Sequence, residues 1–254
     1  MASDERPEEA RVRRILEGDG FNVERIPEDQ QAKRADYLAR RGSETYLVEV
    51  KRIDEAAWTF DAENLAMRDI PLSYRNGISK VVRDAVAQLM STPVAVSDPL
   101  RVAWFVATGI EAEAYVEQVR ATLYGAVDLI WTMGADGAKC KRCYFFTWSE
   151  FMGLPNLDAA VVGTASQGQL CINSHGRQTD RVCACALRQL FGEAALDPLA
   201  EEAAGAAFIA DAASDVRDEA AMLESVKAKY GLSFLLPFKP TQHTGVAWLP
   251  GGRT

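Results

Sequence analysis

Two carboxylates and one lysine lie close together in the first fifth of the chain, at Asp36, Glu49 and Lys51. Successive side chains of a β-strand alternate between its two faces, so Glu49 and Lys51 would share a face while Val50 points to the other. A hairpin with Asp36 on its first strand would bring the second carboxylate beside Glu49. Two carboxylates and a backbone carbonyl are oxygen ligands that suit Mg²⁺, and a metal-bound water beside a lysine suits hydrolysis of a phosphodiester.

Hydrophobic periodicity predicts the elements that would position these residues. In chain order they are a helix over 8–17, a strand over 21–26, two hairpin strands over 35–39 and 45–51, and a helix over 78–90. The turn Arg41-Gly42-Ser43 separates the two hairpin strands. Residues 55–75 follow neither period and give no prediction.

The next segments predict more strands and helices. A strand over 102–107, a helix over 111–123 and a strand over 126–131 are typical of a parallel βαβ crossover. They are followed by predicted strands over 143–148, 157–162 and 169–173, a helix over 180–191, Ala-rich helices over 193–213, and a last helix from the cap Ser214 to Gly231. We therefore expect a core over 1–135 and, packed on it, a C-terminal extension over 136–254.

Residues 9–51 resemble the PD-(D/E)XK nuclease superfamily, which includes restriction endonucleases and Holliday-junction resolvases. The resemblance rests on the order of a helix with Glu9, then Gly20-Phe21-Asn22-Val23, Ala35-Asp36 and Glu49-Val50-Lys51. Ala35 stands where the family usually has proline. The resemblance extends over about half of the chain. It implies an α/β fold of the restriction-endonuclease type, with a mixed central sheet flanked by helices and an α+β C-terminal extension.

The resemblance implies a metal-dependent endonuclease that hydrolyses DNA phosphodiester bonds with Mg²⁺ or Mn²⁺. Asp36, Glu49 and the carbonyl of Val50 would bind the metal, and Lys51 would orient the attacking water. A glutamate of the first helix would complete the metal shell, Glu9 by its position, with Glu8 as the fallback. The helix after the Glu-x-Lys strand would turn Gln88 or Lys80 toward the site.

Basic residues cluster near the front of the chain and are candidates for binding the phosphate backbone. They are Lys33, Arg34, Arg40, Arg41, Arg52 and Lys80. The sequence does not distinguish DNA from RNA. A homodimer would place two sites for cutting both strands of a duplex.

The net charge of −8 is concentrated in one segment. Residues 193–224 hold nine acidic side chains and one basic one, Arg217. This segment supports an alternative from another class, a non-catalytic interaction protein with a nuclease fold that binds a partner through its acidic C-terminal helices. A further alternative is a surface hairpin in which Asp36, Glu49 and Lys51 form cross-strand ion pairs, although the apolar residues Tyr46, Val48 and Val50 between them disfavour it.

Cysteine spacing suggests a zinc-dependent binding module as another alternative, with Cys140 and Cys143 joined by Cys171 and His175. Five cysteines in a chain of 254 residues form no disulfide framework and fit a reducing compartment. The chain has no G-x-G-x-x-G motif or P-loop, which argues against a nucleotide cofactor. A polar N-terminus and the lack of a long apolar run predict a cytoplasmic protein with no membrane partner.

Overall fold

The structure is a computed structural model, and it describes residues 5–27, 33–61, 64–95, 98–132, 137–210 and 216–248. Its helices are α1 (Pro7–Gly18), α2 (Asn76–Ser91), α3 (Ala112–Tyr124), α4 (Glu150–Gly153), α5 (Thr179–Ala184), α6 (Ala186–Phe191), α7 (Pro198–Ala203) and α8 (Glu219–Tyr230). Its strands are β1 (Asn22–Arg25), β2 (Tyr37–Arg41), β3 (Glu44–Ile53), β4 (Leu65–Pro71), β5 (Leu100–Ala107), β6 (Val127–Thr132), β7 (Ala138–Tyr144), β8 (Ala159–Gly163), β9 (Gly168–Ile172), β10 (Ala195–Leu196), β11 (Phe208–Ile209), β12 (Phe234–Phe238) and β13 (Thr241–Ala247).

Seven strands form the main sheet, in the order β1-β2-β3-β5-β8-β9-β10. The first three strands are antiparallel neighbours, whereas β3, β5 and β8 run parallel to one another. The strand β9 is antiparallel to β8 and parallel to β10. The expected α/β class with a mixed central sheet is therefore confirmed.

The strand β3 shows how the two faces of this sheet are covered. Leu47 and Ile53 belong to one buried cluster, together with apolar residues of α2 and α3. Val48 and Val50 belong to a second cluster, together with residues of α1, α5 and α6. Because side chains alternate along a strand, β3 contributes to both layers of core and presents Glu49 and Lys51 on the side of α2.

Two smaller sheets complete the described chain. The strands β11, β7, β6 and β12 form a four-stranded sheet, whose inner face packs on Met222 and Val226 of α8. The strands β4 and β13 form a two-stranded ribbon that pairs residues 65–71 with residues 241–247. The strands β4, β12 and β13 were not predicted from the sequence.

Strands from both sides of residue 135 share the sheets. The strands β8, β9 and β10 continue the main sheet beside β5, and β12 pairs with β6. The division between 135 and 136 therefore falls inside one hydrogen-bonded sheet, between β6 and β7.

The predicted crossover over 102–131 is wrong. The strand β6 lies in the four-stranded sheet, and the second parallel neighbour of β5 is β8. The change of direction occurs at Gly125, which ends α3 with a left-handed backbone at φ +59°. A Cβ there would lie 2.3 Å from the carbonyl oxygen of Thr147, so a glycine is needed where the chain passes between the two sheets.

Three predicted elements differ in their bounds. The strand predicted over 143–148 ends at Tyr144, because Phe145 adopts φ +59° and the chain then turns into α4. The helix predicted over 180–191 is divided at Cys185, whose backbone is extended. Residues 193–210 hold α7 and the short strands β10 and β11 in place of continuous helix.

The last helix begins later than predicted. The predicted cap Ser214 and residues 211–213 lie outside the described residues, and α8 starts at Glu219 with Asp218 as its N-cap. Its predicted end at Gly231 is confirmed by a left-handed C-cap. None of the helices in the described ranges is both long and apolar enough to cross a bilayer.

Candidate active site

The site is built on the hairpin of β2 and β3. Asp36 stands directly before β2, and its backbone N–H donates to the carbonyl of Val48 over 3.0 Å. One carboxylate oxygen of Asp36 accepts a hydrogen bond from the backbone N–H of Val50 over 2.7 Å. The strand pairing thus fixes the Asp36 side chain beside the segment that carries Glu49 and Lys51, as the sequence predicts.

Lys51 connects the hairpin to α2. Its Nζ lies 2.6 Å from Oε1 of Glu49 and also donates to Oε1 of Gln88. Glu49 is only 1% exposed, and its second oxygen, Oε2, is buried with no hydrogen-bond partner among the described residues. A buried carboxylate oxygen without a partner is costly, so this atom is available to a cation that the chain itself does not supply.

The first turn of α1 contributes two buried glutamates, Glu8 and Glu9. Oε2 of Glu9 accepts from the backbone N–H of Arg6 over 3.1 Å and lies 3.6 Å from the guanidinium of Arg25. Burial is the main cause that raises the pKa of Asp36, and the negative charge of Glu9 raises it further. Glu8 has a longer contact, 3.8 Å from Nε of Arg6.

Arg6 is the residue of this site that the sequence analysis missed. Its guanidinium contacts Oε1 of Glu9, lies 3.9 Å from Oδ1 of Asp36 and donates to the carbonyl of Val50 over 3.4 Å. A signal was present in Arg6-Pro7-Glu8-Glu9, where an arginine precedes a helix start with two acidic residues. The contact with Val50, 44 residues away, depends on the tertiary fold.

Burial raises the pKa of both carboxylates of the hairpin. Burial, followed by the negative charge of Asp36, raises the pKa of Glu49 to about 8. Burial also raises the pKa of Asp36 to about 6, against the opposing effect of the hydrogen bond from Val50. Burial disfavours the charged form of both carboxylates, and Arg6 and Lys51 offset this effect only in part. A divalent cation would favour the charged form further.

The hairpin offers the types of oxygen donor that a hard divalent cation binds. Asp36, Glu49 and the carbonyl of Val50 offer oxygen atoms, and Oε2 of Glu49 is without a partner among the described residues. Within the described ranges, no three Asp, Glu, His or Cys side chains are arranged so that they could hold a metal ion. Arg6 lies among the expected ligands, in contact with Glu9, Asp36 and the Val50 carbonyl.

A cleft of about 550 Å³ opens beside Lys51, between the end of β3 and α2. Its lining includes three basic residues, Lys33, Lys51 and Arg52, one acidic residue, Asp84, and the polar residue Gln88. Because the basic residues outnumber the acidic one, the cleft next to the carboxylate site is suited to a phosphate backbone. Among the predicted backbone-binding residues, the structure therefore brings Lys33 and Arg52 to the site.

The other predicted basic residues lie elsewhere. Arg40 and Arg41 are at the far end of the hairpin, roughly 20 Å along β3 from Lys51. Arg40 pairs with Glu24 over 3.3 Å, and Arg41 pairs with Asp19. Lys80 is exposed on α2, one turn before the cleft residue Asp84, and Nε of Arg34 is buried.

The structure does not assemble the predicted zinc ligands. Cys143 is buried in the core of the four-stranded sheet and Cys171 in the core of the main sheet. Cys140 is exposed, and the ring of His175 packs against Phe145 with centroids 4.5 Å apart. Among the described residues, no three Cys, His, Asp or Glu side chains form a group that could hold a metal ion.

Glu49→Gln is expected to raise the melting temperature of the metal-free protein at pH 8.5 by a few degrees. The pKa of Glu49 rises from 4.5 to about 8 on folding, so the unfolded chain releases this proton at lower pH than the folded protein does. The resulting loss of stability grows as the pH rises from 4.5 to 8, and glutamine removes it. Thermal unfolding in EDTA at pH 4.5 and 8.5 measures the effect, with the partly exposed Glu17→Gln as control. A Glu49 variant that is equally stable or less stable at pH 8.5 would contradict this pKa.

The chain matches no protein-family model, no curated protein and no solved structure.

Proposed function

We propose that the protein is a Mg²⁺- or Mn²⁺-dependent nuclease of the PD-(D/E)XK type that hydrolyses phosphodiester bonds in DNA. The observation that carries the proposal is the convergence of Asp36, Glu49 and Lys51 on one face of a hairpin, with a buried Glu49 oxygen that has no partner among the described residues. The helix α2, which comes after β4 in the chain, places Gln88 against Lys51, and this contact supports the role proposed for Gln88.

Each residue has a distinct role in this proposal. Asp36, Glu49 and the Val50 carbonyl would hold the metal, with Glu9 beside them. The bound metal would lower the pKa of a water molecule and neutralise charge on the phosphate. Gln88 and Glu49 fix Nζ of Lys51 at the edge of the cleft, where the ammonium can donate a hydrogen bond to the attacking water or to a phosphate oxygen.

The alternative of an interaction protein has less support from the acidic segment. Two of its carboxylates cap helices, Asp197 on α7 and Asp218 on α8. Four others contact tyrosine or lysine side chains within the chain, namely Glu201, Glu202, Glu219 and Glu224. These six side chains have partners within the chain, which leaves less of the segment to recognise another protein.

The direct test is cleavage of plasmid, linear duplex and single-stranded DNA, and of RNA, with Mg²⁺, with Mn²⁺ and with EDTA. Metal-dependent cutting that disappears in EDTA supports the proposal, and the substrate series separates DNA from RNA. No cutting of any substrate, together with no Mn²⁺ binding by calorimetry, would contradict it and favour the interaction protein.

The cleft gives a prediction about affinity. Replacing both Lys33 and Arg52 by glutamine is expected to weaken DNA binding about tenfold at low salt. The slope of log Kd against the logarithm of the salt concentration should fall by about two, because two phosphate contacts are lost. Both side chains line the cleft beside Lys51. Fluorescence anisotropy with a labelled duplex in EDTA measures both quantities.

Arg40→Gln with Arg41→Gln is the matched control, because it removes two charges from the far end of the same hairpin. Equal losses in both double variants would show that net charge, and not the cleft, sets the affinity.

A further inference from the structure

Arg6 lies where the proposed metal ligands converge. Its guanidinium contacts the carboxylates of Glu8 and Glu9, lies 3.9 Å from Asp36 and donates to the Val50 carbonyl over 3.4 Å. Carboxylate and carbonyl oxygens accept hydrogen bonds through the lone pairs that would otherwise bind a metal. A guanidinium and a divalent cation therefore compete for Asp36 and for the Val50 carbonyl.

The Arg6 side chain can leave this position without disrupting the core. It is 48% exposed and extends from the N-cap of α1, outside the buried clusters of the main sheet. Glu9 would keep a cationic neighbour after such a movement, because the guanidinium of Arg25 lies 3.6 Å from its Oε2. The geometry thus permits two arrangements of the same carboxylates, one with the arginine and one with a metal.

We propose that Arg6 is a built-in cation that balances Glu9 and Asp36 in the metal-free protein and that a divalent metal displaces it. The inference rests on the proposed metal site of the nuclease. Arg6 is then a regulatory residue that sets the metal concentration at which the site fills. Removing the Arg6 guanidinium therefore raises the affinity for the metal without adding a ligand.

The test is calorimetric titration of Mn²⁺ into the wild type, Arg6→Gln and Arg14→Gln. Arg14 is an exposed arginine of the same helix that donates to the carbonyl of Ala10, so its variant matches the change in net charge. We expect Arg6→Gln to bind Mn²⁺ about tenfold more tightly than the wild type, and Arg14→Gln to stay within about twofold. Arg6→Lys, which keeps a point charge, should fall between them.

Thermal unfolding supplies a second measurement. In EDTA, Arg6→Gln should unfold at a lower temperature than the wild type. Saturating Mn²⁺ should raise the melting temperature of Arg6→Gln by more than it raises that of the wild type. Arg6→Lys serves the same comparison should the glutamine variant not fold.

The outcomes separate this inference from the proposed function. Tighter Mn²⁺ binding by Arg6→Gln than by both the wild type and Arg14→Gln supports displacement, as does binding by Arg6→Gln alone. If the wild type binds Mn²⁺ and Arg6→Gln binds no more tightly, displacement is wrong and the metal site stands. If no protein in the series binds Mn²⁺, the proposed metal site itself is wrong.

Discussion

Lys51→Ala is expected to lower the rate of Mg²⁺-dependent DNA cleavage by about 10³-fold while leaving Mn²⁺ affinity within about fivefold. The ammonium group is held by Glu49 and Gln88 at the mouth of the basic cleft, so it can act on the water or the phosphate without binding the metal. Loss of Lys51 therefore separates catalysis from metal binding. Single-turnover cleavage and calorimetry on the same preparation measure the two effects.

Lys227→Ala is the matched control for this variant. Lys227 also pairs with a glutamate, Glu224, over 2.8 Å, but it belongs to α8 beside the four-stranded sheet. Its variant should cleave DNA at the rate of the wild type. A Lys51 variant that retains more than about a tenth of the rate would remove this residue from the proposed mechanism.

Asp36→Asn is expected to weaken Mn²⁺ binding by at least about 100-fold and to abolish cleavage. The variant keeps the size of the side chain and an oxygen that can accept from the Val50 N–H, so the hairpin should persist. It removes a negative charge and one ligand from the metal site. Calorimetry measures the affinity, and circular dichroism checks the fold.

Asp158 provides an unusually close control for Asp36. Its N–H donates to the carbonyl of Arg101 over 3.0 Å, and its Oδ2 accepts from the N–H of the same residue over 2.7 Å. Burial raises its pKa to about 6, the same value as for Asp36. Asp158→Asn should therefore share any effect on folding while leaving Mn²⁺ affinity unchanged. Equal losses of affinity in both variants would mean that fold damage, and not ligand loss, explains the result.

The elements around the site could be predicted because their patterns are local. Val12 and Leu16 mark one face of α1, and the turn at Gly42 joins two alternating strands, so the helix and the hairpin follow from spacing alone. The same alternation placed Glu49 and Lys51 on one face and Val50 on the other. Once the hairpin and its turn at Gly42 are predicted, the register of the two strands follows, and it brings Asp36 to Val50.

The elements that could not be predicted depend on distant pairings. The strand β13 contains few large apolar residues. Its pairing with β4 makes residues 65–71 a strand, which their own sequence pattern does not predict. Asp128 interrupts the apolar pattern of β6, so this strand differs in sequence from the almost fully buried β5. The sheet that β6 joins, however, depends on its pairing with β7 and β12. Arg6 was missed for the same reason, since its contacts with Asp36 and Val50 cross between elements.

The ribbon of β4 and β13 has a consequence for the order of events during synthesis. The hairpin pairs Tyr37 with Val48, whereas the ribbon pairs Leu65 with Ala247. Contacts between residues close in sequence form early, and those that close long loops form late. A nascent chain can therefore assemble the carboxylate hairpin well before β4 finds its partner. Chains that stop before Thr241 leave β4 without its partner strand, so that β4 is available to pair with another unfinished chain.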